Sequence, residues 1–161
     1  MATEDQRVRS TPADRAFARS LTLEQRMAFA RVDVANTDRL REIVAAYGWP
    51  GRALVGDEGA DHAWLIAQHA DHQLDSQRLF LKELRGAVEA GDAPARHLAY
   101  LTDRVAMNEG RPQRFGTQVG AMQDGAAVPW PIEDPDDVDE RRAAMGLPPL
   151  SEYLAQWQGM T

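Results

Sequence analysis

Residues 58–90 read EGADHAWLIAQHADHQLDSQRLFLKELRGAVEA, and this stretch decides the fold class. It contains no proline and predicts helix from about Glu58 to Ala90, with a bend or break near Asp75. Asp57, just before it, is a suitable N-cap, and Gly91, just after it, is a typical helix stop. A chain built around such a segment is expected to be mainly α-helical.

Helices are also predicted on both sides of this stretch. On the N-terminal side, Thr22 with Gln25 forms a capping-box pattern that starts a helix, and Gly48 ends it. On the C-terminal side, Asp92 and Pro94 restart the chain as a helix that stops at Gly110, with Asp92 as N-cap. Two shorter helices are expected at about 138–145 and 151–157.

Between these helices, residues 111–132 are rich in glycine and proline and alternate like short strands. Asp124-Gly125 is a favourable hairpin turn, and Pro129 and Pro131 confine the second strand to an edge or to extended coil. The sequence therefore predicts a compact, mainly α domain of four to five helices with a small β-hairpin near residues 115–132. Residues 1–20 are expected to be a flexible segment, and residues 21–161 a single helical domain.

Composition excludes several classes of protein. The chain has 161 residues, no cysteine and a net charge of -7. Disulfides, thiolate catalysis and cysteine-bound metals are therefore excluded, and a reducing cytoplasm is the expected compartment. The negative charge disfavours nucleic acid as a partner. We expect no membrane association either, because no apolar run could span a bilayer and the N-terminus lacks a secretory signal. The oligomeric state is left open.

The most informative residues are three of the four histidines, which share one face of the predicted helix. His62, His69 and His72 fall within roughly 80° of arc at the helical repeat. Three interpretations remain open. His69 is a buried structural histidine, or an acid–base group with a pKa suited to proton transfer at neutral pH. Alternatively, His69 and His72 bind a divalent metal together with Asp75. No cofactor is predicted, with the metal as the alternative.

Further polar residues follow the histidines. Asp103 is a candidate to orient His69, since Asp71 would project about 160° away from His69 on a continuous helix. Arg104 lies at the border of an apolar stripe, where it either extends to solvent or faces a pocket. Within residues 138–145, helical spacing places at least one arginine on the inward side.

At this point the chain resembles a bacterial family of unknown function over about residues 30–155. The resemblance is carried by these motifs: Gly48-Trp49-Pro50, Gln68-His69-Ala70-Asp71, Leu101-Thr102-Asp103-Arg104, Pro112-Gln113, Phe115-Gly116-Thr117-Gln118, Val138–Arg142 and Gly146–Tyr153. The family usually has Tyr in place of Phe115, so no hydroxyl is available there. The resemblance implies that a set of polar residues works together: Gln68, His69, Asp71, Asp103, Arg104, Gln113, Thr117, Gln118 and Arg141.

Three functions are compatible with these residues. The first is a small cofactor-free enzyme, a lyase, cyclase or hydrolase of a biosynthetic pathway. It would use His69, Asp103 and Arg104 in catalysis on a carboxylate-bearing small molecule or peptide. In it, substrate contacts come from Gln68, Asp71, Gln113, Thr117, Gln118 and Arg141. The second is a noncatalytic ligand-binding or regulatory interaction module, and the third is a metal-dependent enzyme using His69 and His72. The same residues would form a purely structural polar network if they only join helices.

Overall fold

A computed structural model of the protein describes residues 21–157, so the predicted flexible segment 1–20 lies outside the described residues. Within this part, the mainly α fold with one β-hairpin is confirmed. The helices are α1 (Leu23–Tyr47), α2 (Arg52–Gln68), α3 (Leu74–Glu89), α4 (Ala95–Asn108), α5 (Val138–Ala144) and α6 (Leu150–Ala155). The strands are β1 (Val119–Gln123) and β2 (Ala126–Pro129), and a 3-10 helix covers Pro135–Asp137.

The start of α1 is the predicted capping box. The Gln25 backbone N–H donates to Thr22 Oγ1 at 3.2 Å, and the Thr22 N–H donates to Gln25 Oε1 at 2.8 Å. Two of the N–H groups that a helix start leaves unpaired are satisfied in this way. The helix ends at Gly48, which has a φ of 77°. Both predicted ends are therefore confirmed.

The start of α2 differs from the prediction. An additional helical piece precedes the predicted one, because α2 begins at Arg52. At Gly56 the φ of 72° and ψ of 175° are not helical, so two helical pieces meet there, and the N-cap role of Asp57 for the second piece stays a prediction. Asp92 caps the first piece, because Asp92 Oδ1 accepts from the Ala53 N–H at 2.8 Å. A Cβ on Gly51 would lie 2.0 Å from Asp92 Oδ2, so only glycine allows this approach. The predicted role of Asp92 as N-cap of α4 was wrong, since Pro94 occupies that position.

The long predicted helix is two helices, α2 and α3, joined by a turn after His69. The end of α2 is stabilised from α3, where the fully buried Gln77 donates through Nε2 to the carbonyls of Ala67 at 3.2 Å and Gln68 at 3.4 Å. These carbonyls lie in the last turn of α2, where helical partners run out, although the Ala67 carbonyl also accepts from the Ala70 N–H at 3.4 Å. Gln77 therefore acts as a remote C-cap. Because of this turn, His69, His72 and Asp75 do not share one helical stripe.

The hairpin has the predicted turn. Asp124 and Gly125 both have positive φ, 50° and 78°, as a type I′ turn requires. Gln123 pairs with Ala126 across the turn, and the register is irregular between Val119 and Ala121. Ahead of the hairpin, Gln113 forms an isolated parallel bridge with Ile132. This bridge therefore joins the segment before the hairpin to the segment after it.

The main core lies between α1, α2, α3 and α4. Its buried side chains are Leu40, Val44, Trp49, Ala63, Ala67, Ala70, Phe80, Leu84, Ala93, Leu98, Leu101 and Val105. Two of its four alanines, Ala63 and Ala67, lie on α2 and allow close packing of the neighbouring helices. None of the helices between residues 21 and 157 combines the length and apolar character that a membrane span requires.

The short C-terminal helices hold the loop before the hairpin. Arg142 of α5 is fully buried and donates to the carbonyls of Phe115 and Pro148, both at 2.6 Å. Its guanidinium also lies 5.0 Å from the ring centroid of Tyr153. The Tyr153 hydroxyl donates to the Thr117 carbonyl at 2.8 Å. The inward arginine predicted on this helix is therefore Arg142, and it fixes residues 115–117 next to α4.

Candidate functional site

A carboxylate–guanidinium pair marks the centre of the candidate site. Asp71 lies in the turn after α2 and forms a bidentate salt bridge with Arg104 of α4. Arg104 Nε donates to Asp71 Oδ1 at 2.9 Å, and Arg104 Nη2 donates to Oδ2 at 2.5 Å. The two side chains are 31% and 27% exposed, so the pair is shielded without being sealed. Bidentate pairs of this kind are the strongest and most directional that arginine forms.

Two neutral side chains complete the shell around Asp71. Asn108 Nδ2 donates to Asp71 Oδ1 at 2.7 Å, and Gln77 Nε2 donates to the same oxygen at 3.2 Å. Burial by itself would raise the pKa of Asp71, but the hydrogen bonds and charge of Arg104, with these two amides, hold it below the usual value. Asp71 is therefore ionised at neutral pH and fixes the orientation of Arg104.

The chain of hydrogen bonds continues from Arg104 into the loop before the hairpin. Arg104 Nη1 donates to Gln118 Oε1 at 3.2 Å, and Gln118 Nε2 donates to Thr117 Oγ1 at 3.1 Å. Thr117 Oγ1 in turn donates to Asp103 Oδ2 at 2.9 Å. The structure thus joins five of the predicted site residues in one network: Asp71, Asp103, Arg104, Thr117 and Gln118.

Asp103 is the fully buried end of this network. Its carboxylate accepts from the backbone N–H groups of Arg114 at 2.8 Å, Phe115 at 3.0 Å and Thr117 at 2.9 Å. Burial raises the pKa of Asp103, and these donors offset part of that effect. The contacts indicate a structural task, holding residues 114–117 against α4. Its predicted catalytic role stays a prediction.

Gln113 links the segment before the hairpin to the segment after it. Its side-chain Nε2 donates to the carbonyls of Gln118 at 2.9 Å and Trp130 at 2.8 Å, while its Oε1 accepts from the Gln118 N–H at 2.8 Å. The side chain is completely buried. These contacts set the shape of the loop that presents Gln118 to Arg104.

Arg141 is placed apart from the Asp71–Arg104 pair. Its Nε donates to the Arg114 carbonyl at 2.9 Å, and its Nη2 donates to the carbonyls of Glu133 at 2.5 Å and Asp134 at 3.0 Å. These bonds connect α5 to the segment before the hairpin, at Arg114, and to the segment after it, at Glu133 and Asp134. The direct partners of Arg141 are backbone carbonyls, so Arg104 and Arg141, which the resemblance implies work together, share no contact among these hydrogen bonds.

Gln68 and His69 lie at the end of α2, next to Asp71 along the chain. Gln68 is 8% exposed, and its Nε2 is buried without a hydrogen-bond partner in the described residues. Gln77 Nε2 contacts both the Gln68 carbonyl and the Asp71 carboxylate, so the two residues lie within reach of one nitrogen. His69, which follows Gln68 in the chain, is half-buried and forms the C-cap of α2. A buried donor without an acceptor is costly unless a ligand or water satisfies it.

A cleft of about 750 Å³ lies between α2 and α4. We call it the outer cleft, and it is lined by Glu58, Asp61, His62, Trp64, Leu65, Arg96, His97 and Tyr100. His69 and Arg104 are not among the residues that line the cleft. They follow the lining residues Leu65 and Tyr100 by four positions along the chain, His69 as the C-cap of α2 and Arg104 on α4.

The alternative metal ligands are not assembled. In residues 21–157, no group of three or more His, Asp or Glu side chains is arranged to hold a metal ion. Asp75 lies in the first turn of α3 and pairs with Arg78 at 3.0 Å. The physical reason is the turn after α2, which separates the residues that a continuous helix would have aligned.

Sequence reasoning missed several residues of this region. Asn108 lies four residues after Arg104, and Tyr100 four residues before it, so helical spacing on α4 could have found both. His97 lies on the same face of α4 but stands alone in the sequence, apart from the other three histidines, so no pattern pointed to it. Gln77 gave no signal, since its role depends on the turn that brings α3 back against α2.

Replacing Asp71 by Asn should lower the melting temperature at pH 7 by about 6 to 10 °C. The change leaves a partly buried Arg104 without its charge partner, which costs about 3 kcal/mol in similar cases. Because the folded-state pKa of Asp71 is lowered, its contribution is complete above its unfolded pKa of about 3.9 and is lost as pH falls through the folded value. Thermal melts from pH 7 down to pH 3 should therefore show the two proteins converging in acid. A constant difference throughout would contradict the ionised pair.

Comparison with known proteins gives a family and no activity. A family model described as a family of unknown function (DUF6624) matches residues 1–159. No curated protein and no solved structure matches the chain.

Proposed function

Since the chain belongs to this family of unknown function, DUF6624, we propose its function from its own site: a small enzyme that acts on a carboxylate-bearing small molecule or peptide. His69 is the acid–base group, and no metal or organic cofactor takes part. The reaction is an elimination, a cyclisation or a hydrolysis without a covalent cysteine. A cytoplasmic location in a bacterium, in a biosynthetic pathway, is part of the proposal.

The observation that carries the proposal is the unpartnered, buried Nε2 of Gln68 beside His69. An amide donor in this position matches a carboxylate or carbonyl oxygen of a substrate, which would remove the cost of leaving it unpaired. The proposal places this oxygen within reach of the imidazole of His69, the next residue in the chain. General acid–base catalysis requires this kind of proximity, because the proton moves only over hydrogen-bond distance.

Arg104 supports the same assignment. A guanidinium has five N–H groups, and three of them donate to Asp71 and Gln118. Up to two therefore remain for a substrate carboxylate, and the side chain is 27% exposed. Asp71 and Gln118 hold the guanidinium in place before a ligand arrives, which lowers the entropic cost of binding. Asp71 is thus a positioning residue in this proposal, and not a substrate contact.

A noncatalytic ligand-binding module is the second candidate. It is favoured by the extent to which the arginines are already engaged, since Arg141 donates to three backbone carbonyls and Arg104 to a carboxylate. A site with few free charges suits binding better than the stabilisation of developing charge. The same ligand class, a carboxylate, would occupy it.

One experiment separates the two candidates. The full-length protein is incubated with a bacterial small-molecule extract without added metal or cofactor, and the extract is compared by mass spectrometry before and after. The enzyme proposal predicts conversion of at least one carboxylate-containing compound. A compound that is retained by the protein and returned unchanged supports the binding module, and an extract with neither change contradicts both.

Gln68→Met tests whether the unpartnered amide of Gln68 binds a ligand. The substitution keeps the size of the side chain and removes the unpartnered amide, so the melting temperature should stay the same or rise by about 1 to 3 °C. Ligand affinity or turnover should fall at least about tenfold, since one hydrogen bond to a charged oxygen is lost. A clear loss of stability with unchanged activity would show that the amide serves the fold.

A further inference from the structure

The outer cleft has a chemistry of its own that the acid–base proposal does not use. Glu58 and Asp61 lie one turn apart on α2, and Arg96 faces them from α4. Trp64 and Tyr100 line the same space with aromatic rings. A carboxylate pair beside aromatic surfaces is the arrangement that proteins use for organic cations.

The aromatic wall is rigid. The rings of Trp64 and His97 are stacked with centroids 4.2 Å apart and an angle of 7° between their planes. Trp64 Nε1 donates to the His97 carbonyl at 3.1 Å, which fixes the indole against α4. Tyr100 meets the indole edge-on, with centroids 5.9 Å apart. A ligand that binds here therefore meets a surface already in place.

The charge of the cleft is negative. The pKa of His97 is lowered to about 4, mainly by burial and also by the charges of Arg96 and Arg52, against the opposing effect of Asp61. His97 is therefore uncharged at neutral pH, although its Nε2 lies 3.6 Å from Asp61 Oδ1. The lining carboxylates of Glu58 and Asp61 then outnumber the one lining guanidinium, that of Arg96. Arg52, which acts on His97, is itself paired with Asp57 at 3.0 Å. An anionic ligand would be repelled by this balance, while a cation would be attracted.

We propose that the outer cleft is a subsite for an ammonium group, held by the carboxylates of Glu58 and Asp61 against the rings of Trp64 and Tyr100. The inference deepens the proposed function, on which it rests for the identity of the substrate as a whole. A substrate whose carboxylate lies near Arg104 and whose ammonium lies in the outer cleft has to span the distance from Asp61 to His69. Along α2 this distance is about 12 Å, which matches an extended peptide of three or four residues. The substrate class is therefore a short peptide with a free amino group.

The ammonium subsite can be tested without the natural substrate. Phenethylamine is titrated into the full-length protein while the indole N–H signal of Trp64 is followed by NMR. Phenethyl alcohol and hydrocinnamate serve as the neutral and anionic probes of similar shape. We expect the amine to shift the Trp64 signal with a dissociation constant of about 1 mM, and the alcohol to bind at least about fivefold more weakly. Hydrocinnamate should leave this signal unchanged.

Charge variants make the test specific. Glu58→Gln should weaken amine binding about fivefold, and Arg96→Gln should strengthen it about threefold, because the first removes an attraction and the second a repulsion. Glu89→Gln is the matched control, since Glu89 is exposed on α3 and outside the cleft. Both cleft side chains are exposed, so folding is checked simply by the melting curve. Equal binding of the three probes, or the same direction of change in both variants, would overturn the proposal.

The outcome is independent of catalysis. A His69→Gln variant should bind phenethylamine as the wild-type protein does, because His69 lies outside the outer cleft. Amine binding without conversion of any compound would retain the subsite and reject the enzyme. Conversion of a carboxylate compound without amine binding would retain the enzyme and reject the subsite.

Discussion

Replacing Asp103 by Asn is expected to lower the free energy of unfolding by about 4 kcal/mol and the melting temperature by about 10 °C. Asp103 is fully buried, and its two oxygens accept from three backbone N–H groups and the Thr117 hydroxyl. An asparagine keeps one acceptor and turns an NH2 group towards donors. At least one backbone N–H is then buried without a partner.

Urea titration and thermal melting followed by circular dichroism measure this effect. Asp75→Asn is the matched control, because Asp75 is almost completely exposed and pairs only with Arg78 among its recorded contacts. It should leave the melting curve unchanged, as is usual for surface pairs. If Asp103→Asn melts within about 2 °C of the wild type, Asp103 does not hold residues 114–117 against α4. That result would favour its predicted catalytic role.

Replacing His69 by Gln is expected to reduce kcat/KM at least about a hundredfold for the compound identified in the extract. Removal of a general acid–base group leaves binding and positioning intact but slows proton transfer. Because Gln68, Arg104 and the outer cleft remain, most of the loss should be in kcat, with KM changed little.

His72→Gln is the control for this variant. His72 lies in the same turn but is exposed, so turnover should be unchanged. Rates are measured by mass spectrometry at pH 7, with melting curves for each protein. A His69→Gln protein that retains full turnover would reject the acid–base role. A variant that loses both stability and activity would assign His69 to the fold instead.

Much of the fold could be predicted from local signals. The capping box at Thr22, the stop at Gly48 and the Asp124-Gly125 turn each depend on residues close in sequence, and all three are confirmed. The family resemblance inferred from motifs is confirmed as well, at the level of the family. Local chemistry determines such features, so no knowledge of tertiary contacts was needed.

The break between α2 and α3 was predicted only approximately, near Asp75, whereas the turn lies between Gln68 and Leu74. Residues 69–73 carry no proline or glycine, and the turn is stabilised by Gln77, which reaches back to the carbonyls at the end of α2. The prediction that Asp92 caps its own helix failed for the same reason, since its carboxylate caps α2 from 39 positions away. Both are tertiary contacts, and they overrode a plausible local pattern.

Residues of the candidate site were predicted from the sequence, but the hydrogen bonds that join them were not. Motifs brought together Asp71, Asp103, Arg104, Thr117 and Gln118, and the structure links them by hydrogen bonds. The sequence could not show that Asp71 binds Arg104, because the assumed helix pointed Asp71 elsewhere. Nor could it show that backbone carbonyls engage Arg141.

Side-chain NMR shows whether Gln68, His69 and Arg104 bind one carboxylate together. N-acetylglycine is titrated into protein labelled so that the Gln68 amide, the His69 imidazole and the Arg104 Nε–H are observed separately. We predict that all three signals shift with a single dissociation constant, and that Gln68→Met weakens the shift of the other two. If the carboxylate shifts none of them, or shifts Arg104 without Gln68 and His69, these residues do not form one site.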